Sequence, residues 1–156
     1  MQQLIQKERQ FLQEALKHEE VCVAKYGQYA NQLQDPQLKQ MFQQLQQKEQ
    51  QHYQTISNLL GQAGGGGAAK MQQYQVGGGQ QQFSGQQHGG GQITEEEILQ
   101  DMLMTEKYVA DSYNMTVLDS LNNQVRQQIQ HIQNEEQQHA NQIVDAMVQK
   151  GYYQLQ

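Results

Sequence analysis

Adding 87 to the residue number lays the first half of this chain on the second without a gap. Leu12 falls on Leu99, Leu16 on Leu103, Glu19 on Glu106, Tyr26 on Tyr113, Glu49 on Glu136, His52 on His139 and Ile56 on Ile143. Asp35 falls on Asn122, and both residue types cap helices well. Glutamine matches carry little weight in so Gln-rich a chain, but the Glu, Tyr and His matches involve rarer residues at several separate spacings. The chain is therefore read as an internal duplication, and whatever fold one half adopts the other must adopt beside it.

Each half reads as an αα-hairpin. At Asp35-Pro36 the Asp can cap and the Pro can take the first helical position, so a helix of about residues 2 to 33 turns into one of about 36 to 60. The second half opens on Thr94-Glu95-Glu96-Glu97, a capping-box pattern, turns near Asn122-Asn123 and ends at Gly151. Between the halves lie Gly64-Gly65-Gly66-Gly67, Gly77-Gly78-Gly79 and Gly89-Gly90-Gly91, a composition that buries no core and reads as a flexible connection. The expectation is one all-α domain over 1–156, a four-helix bundle of hairpins 2–60 and 94–150 joined by a Gly/Gln-rich crossover, 61–93. A helix of roughly 25 residues is about 38 Å long, and a connection of about 30 residues spans that with slack.

The apolar stripes step by 4 and 3, as in a packed bundle. They run Leu12, Leu16, Glu19, Val23, Tyr26, Ala30, Leu33 in the first helix and Leu38, Phe42, Leu45, Glu49, His52, Ile56, Leu59 in the second. The third carries Leu99, Leu103, Glu106, Ala110, Tyr113, Val117, Ser120, and the fourth Val125, Ile129, Ile132, Glu136, His139, Ile143, Ala146. Every stripe is interrupted by a glutamate. The midpoint of Glu19 and Glu49 falls at 34 and that of Glu106 and Glu136 at 121, each beside a turn assigned from capping residues alone. Each Glu19-type residue thus faces a Glu-x-x-His pair across its hairpin, and all six residues share one level whether the second hairpin packs parallel or inverted.

Burying one carboxylate costs several kcal/mol, and four of them rival the roughly 5 to 15 kcal/mol stability of a whole domain. Two divalent cations would balance the four charges while neutral imidazoles complete the coordination, the arrangement of di-iron and di-manganese carboxylate bundles. Glu19, Glu49, His52, Glu106, Glu136 and His139 are the candidate ligands, with iron or manganese as the ion. The alternatives are a solvated seam, or a polar core layer sharing protons without metal. Tyr26 and Tyr113 are placed to hydrogen-bond a carboxylate that holds metal, or are simple core tyrosines. His18, His88 and His131 lie off the stripes and are expected in solvent, and Cys22, the single cysteine, reads as a small buried apolar residue.

Composition excludes several classes of partner. Net charge is −6, only 17% of residues are charged, and no Lys/Arg cluster offers a footprint for nucleic acid or an anionic membrane. The start, Met1-Gln2-Gln3-Leu4-Ile5-Gln6-Lys7, has no apolar core of a signal peptide, and no run approaches the roughly 18 to 20 apolar residues that cross a bilayer, so a cytosolic product is expected.

Two segments carry a family resemblance. Asp101-Met102-Leu103-Met104-Thr105-Glu106-Lys107-Tyr108-Val109, with Ser112-Tyr113-Asn114, resembles the spore coat protein F family, as do Asn134-Glu135-Glu136-Gln137-Gln138-His139 and Ala146-Met147-Val148-Gln149-Lys150-Gly151-Tyr152-Tyr153. The resemblance covers about 94 to 156, whereas 1 to 60 is similar only to the broad ferritin-like superfamily. It implies a protein made in the mother-cell cytoplasm and deposited on the spore coat, with other coat proteins or further copies of itself as partners. It does not itself demand all six ligands. A ferritin-like relationship implies the alternative function, a di-metal redox enzyme like manganese catalases or rubrerythrin-type peroxidases and oxidases. Iron storage is a third, lower-ranked reading.

Overall fold

The computed structural model describes residues 3–62 and 92–154. Among these, four helices follow one another: α1 (Gln6–Gln32), α2 (Pro36–Gln62), α3 (Glu95–Asp119) and α4 (Asn123–Lys150). The expected flexible crossover falls almost wholly on residues outside the described ones.

Local chemistry sets the ends. Asp35 Oδ1 accepts from the amides of Gln37 and Leu38 at 2.8 and 3.2 Å, and Asn122 Oδ1 accepts from Gln124 and Val125 at 2.9 and 3.2 Å. Thr94 and Glu97 form a reciprocal capping box at the start of α3. Gly151, at φ 77°, ends α4 in the left-handed conformation that glycine adopts without penalty. α1 starts at Gln6 rather than near residue 2, because Glu8 reaches back to the amide of Ile5 and stops the helix there.

α1 packs on α2 and α3 on α4, and the hairpins meet through α1 against α3 and α2 against α4. Both contacts between hairpins are antiparallel. Lys7 meets Asp119 while Lys25 meets Asp101, and Lys48 meets Glu135 while Lys150 meets Asp35. The second hairpin is therefore inverted, and a pseudo-twofold axis perpendicular to the bundle relates each residue to the one 87 further on. Lys48 and Glu135 are such a pair, facing each other across the axis. Matching side chain to backbone bonds obey the same relation: Gln46 Nε2 donates to the carbonyl of Val23 at 3.0 Å, and Gln133 Nε2 to that of Ala110 at 3.1 Å. The end of α2 and the start of α3 consequently lie at opposite ends of the bundle.

The core joins all four helices, with Leu12, Tyr26, Phe42, Ile56, Leu99, Tyr113, Ile129 and Ile143 fully buried. One expectation for α1 is corrected: Leu16 is only partly buried and Ala15 fills the interior instead, beside Cys22, which is buried as expected. α1 must face both α2 and α3, which turns small residues beside the expected stripe inward. α3 widens likewise, burying Met102, Val109 and Thr116.

The internal symmetry is broken at the ends of the bundle and on its outside. Glu8 is buried, and its Oε1 accepts from the amides of Leu121 and Asn122 at 2.8 and 2.7 Å, so one carboxylate holds the entrance to α4 in the other hairpin. Its counterpart Glu95 sits beside Asp35, where two carboxylates meet, and Lys150 bridges them. On the outside of α3, Met104, Tyr108, Met115 and Leu118 form a stripe that is more than half exposed. Their counterparts on α1 are Lys17, Val21, Gln28 and Asn31. No helix among the described residues is long and apolar enough to cross a membrane.

Candidate metal centre

The stripe positions deliver all six predicted residues to one place. Glu19, Glu49, Glu106 and Glu136 have no solvent exposure, and His52 and His139 are nearly as deep. This excludes a solvated seam. The groups fall into two sets related by the pseudo-twofold. Glu19, Glu49, His52 and Glu136 each bring one ligand atom within 4.8 Å of the others, and so do Glu49, Glu106, Glu136 and His139. Glu49 and Glu136 belong to both sets, whereas Glu19 with His52, and Glu106 with His139, belong to one each.

Both histidines turn Nδ1 inward. His52 Nδ1 lies 3.1 Å from Glu136, 3.2 Å from Glu49 and 3.7 Å from Glu19. His139 Nδ1 repeats the pattern at 2.9 Å from Glu49, 3.3 Å from Glu136 and 3.8 Å from Glu106. The imidazoles stack, with centroids 5.6 Å apart. Behind His52, Nε2 meets Glu135 Oε2 at 2.8 Å, and Glu135 also faces Lys48 and the exposed His131.

The tyrosines cross between hairpins. Tyr26 donates to Glu106 and Tyr113 donates to Glu19, so each hydroxyl holds a carboxylate of the opposite copy. Both are buried in the core, with their hydroxyls bonded to glutamates of the cluster. Cys22 is buried in the same region, where burial and then the charges of Glu49, Glu106, Glu19 and Glu136 keep it a neutral thiol. Its counterpart is Val109, which agrees with an apolar role. His131 is exposed as expected, and His88 lies outside the described residues. The expectation for His18 is corrected: it is half-buried, within 3.3 Å of the Ser112 hydroxyl and edge-on to Tyr108, because the inversion sets α3 against that face of α1.

The electrostatics show how poorly the cluster suits four free charges. Burial, followed by the neighbouring Glu136 and Glu19, pushes Glu49 well above the usual carboxylate range. Burial and the adjacent Glu106 lift Glu136 to about 8. At His139 burial opposes the charged form, but Glu106, Glu136 and Glu49 outweigh it and raise the ring to about 11; His52 is raised in the same way by Glu136, Glu19 and Glu49. Even so, the Oε2 atoms of Glu19, Glu106 and Glu136 are buried without a hydrogen-bond partner. Buried acceptors of that kind cost about 1 to 3 kcal/mol each, and more when charged.

Sequence reasoning missed Glu8 and Glu135. Glu8 aligns with Glu95, which is not the reciprocal acid of the Thr94–Glu97 box, so the alignment does not mark it as a cap. Glu135 had no signal beyond its place next to Glu136.

Comparison with known proteins bears on the same two hairpins. The Coat F domain family matches residues 7–64 and 94–156, two segments that begin the same 87 residues apart and together take in all six cluster residues. The match to the first hairpin corrects the narrower expectation that only the second resembles this family. No curated protein and no solved structure matches the chain. With both hairpins matched over most of the sequence, the chain belongs to the Coat F family and is a spore coat protein.

Proposed function

We propose that this spore coat protein holds two divalent metal ions, iron or manganese, at the centre of its bundle. The observation that carries the reading is the set of buried carboxylate oxygens with no hydrogen-bond donor, in two four-residue groups that share Glu49 and Glu136. A donor set of oxygens and one imidazole per position suits these ions. Glu49 and Glu136 would serve both positions, Glu19 and His52 one, and Glu106 and His139 the other. Tyr26 and Tyr113 would hold the two unshared carboxylates in place. Two such ions would supply redox or Lewis-acid chemistry. The relationship to ferritin-like proteins belongs to this reading too, supported by the inverted hairpins and the separation of the α2 and α3 ends.

The test is metal analysis of the purified protein after anaerobic addition of Mn(II) or Fe(II), beside a Glu49→Ala/Glu136→Ala variant. Two ions per chain are expected in the native protein and none in the variant. A native protein that retains no metal would overturn the proposal and leave a proton-sharing polar layer. A second reading, a redox enzyme acting on peroxide or oxygen, is favoured by the two oxidisable tyrosine hydroxyls bonded to the cluster. Peroxide consumption by the metal-loaded native protein, absent from the double variant, would support it.

A further inference from the structure

The duplication preserves the four glutamates, the two histidines and the two tyrosines of the cluster, yet the groups behind the two histidines differ in charge. His52 Nε2 donates to Glu135 at 2.8 Å. The pseudo-twofold carries Glu135 onto Lys48, an ammonium with no acceptor to offer. Among the described residues, the close contacts of His139 with charged groups are all made by Nδ1, and its Nε2 has no carboxylate behind it.

We propose that Glu135 makes the two metal positions unequal, so that the one built by Glu19, Glu49, His52 and Glu136 fills before the one completed by Glu106 and His139. This rests on the dinuclear reading above. A carboxylate on Nε2 fixes the tautomer that keeps the lone pair on Nδ1, holds the ring at its angle and makes it a more basic ligand. Removing such a partner costs typically about 10- to 100-fold in metal affinity. Lys48 pairs with Glu135 at 3.4 Å and offsets part of its charge, so the carboxylate acts on this position chiefly through its bond to the His52 ring. Once the first ion is held, Glu49 and Glu136 have less charge left for the second.

The experiment uses the full chain with its histidines labelled with nitrogen-15 and Zn(II) as a redox-silent probe. The first equivalent of Zn(II) should shift the His52 ring signals and the second those of His139, with affinities about 10- to 100-fold apart. Glu135→Leu should lower the first affinity, and Glu135→Gln, which keeps an acceptor, should restore part of it. The decisive variant is the exchange Lys48→Glu/Glu135→Lys, which conserves net charge at two partly exposed positions and should reverse the order, His139 before His52. If both rings respond together in the native protein, or the exchange leaves the order unchanged, the inequality is overturned while the dinuclear reading stands. If no Zn(II), Mn(II) or Fe(II) binds, both fall. Metal-free protein gives a separate check: His52 Nε2–H should exchange slowly with solvent and His139 Nε2–H quickly, and equal exchange would count against Glu135.

Discussion

The first hairpin and the second agree inside and diverge outside. Under the pseudo-twofold, Glu19 and Glu106, Glu49 and Glu136, His52 and His139, and Tyr26 and Tyr113 exchange places with their contacts to one another intact. At the ends and on the surface the copies part: Glu8 caps a helix where Glu95 pairs with a lysine, Glu135 stands where Lys48 does, and an exposed apolar stripe stands where α1 is largely polar. The difference shows which contacts constrain one another. The buried side chains that bond one another across the two hairpins are kept in both copies, whereas the partly exposed pair Lys48 and Glu135 and the residues facing water have diverged.

That contrast can be broken by experiment, and the largest effect should come from the residues that both proposed metal positions share. Glu49→Gln or Glu136→Gln should remove both ions, whereas Glu19→Gln or Glu106→Gln should remove about one, measured as metal per chain after dialysis. Equal losses from all four would deny the shared role.

Next comes pH. In metal-free protein Glu136 is raised from 4.5 to about 8 and His139 from 6.5 to about 11. Both bind protons more tightly when folded. The contribution of Glu136 is complete below pH 4.5 and lost as pH rises through about 8, and that of His139 is complete below 6.5 and lost through about 11. Melting temperature in the presence of a chelator should therefore fall steadily from pH 5 to pH 9, with a shallower slope when metal is present. A melting temperature that rises over this range would contradict the buried charge balance.

The two ends of the bundle should respond unequally. Glu8→Ala strands the amides of Leu121 and Asn122 and should cost about 2 kcal/mol, read from the denaturation midpoint. Glu95→Ala breaks a partly exposed ion pair with Lys150 and should cost under about 1 kcal/mol. The smallest change should follow replacement of Met104, Tyr108, Met115 and Leu118 by the α1 residues Lys, Val, Gln and Asn. Stability should move by no more than about 0.5 kcal/mol per site, while binding of a hydrophobic dye falls.

The features legible in the sequence were those written twice. The turns at Asp35 and Asn122, the four stripes and the six inward residues could each be checked against the other copy. The inversion was not legible, because ligands centred in their helices share a level in either orientation. The crossing of Tyr26 to Glu106 depends on that inversion, and so does the partial burial of His18. Glu8 and Glu135 were missed for a related reason: a glutamate read along one helix looks solvated, and only the neighbouring hairpin shows whether it has an amide or an imidazole to meet. Ala15 displaced Leu16 because α1 packs against two helices at once.

The mixed ownership of the cluster has a consequence for how it assembles. Glu19, Glu49 and His52 come from one hairpin, yet their group is completed by Glu136 from the other, and the second group reverses the borrowing. Separate hairpins would have to find each other before either group existed, and dilution would dissolve the site. Carried on one polypeptide, each hairpin meets the other at an effective concentration in about the millimolar range. Formation of the centre thereby becomes a first-order event, as complete in a sparse solution as in a crowded one.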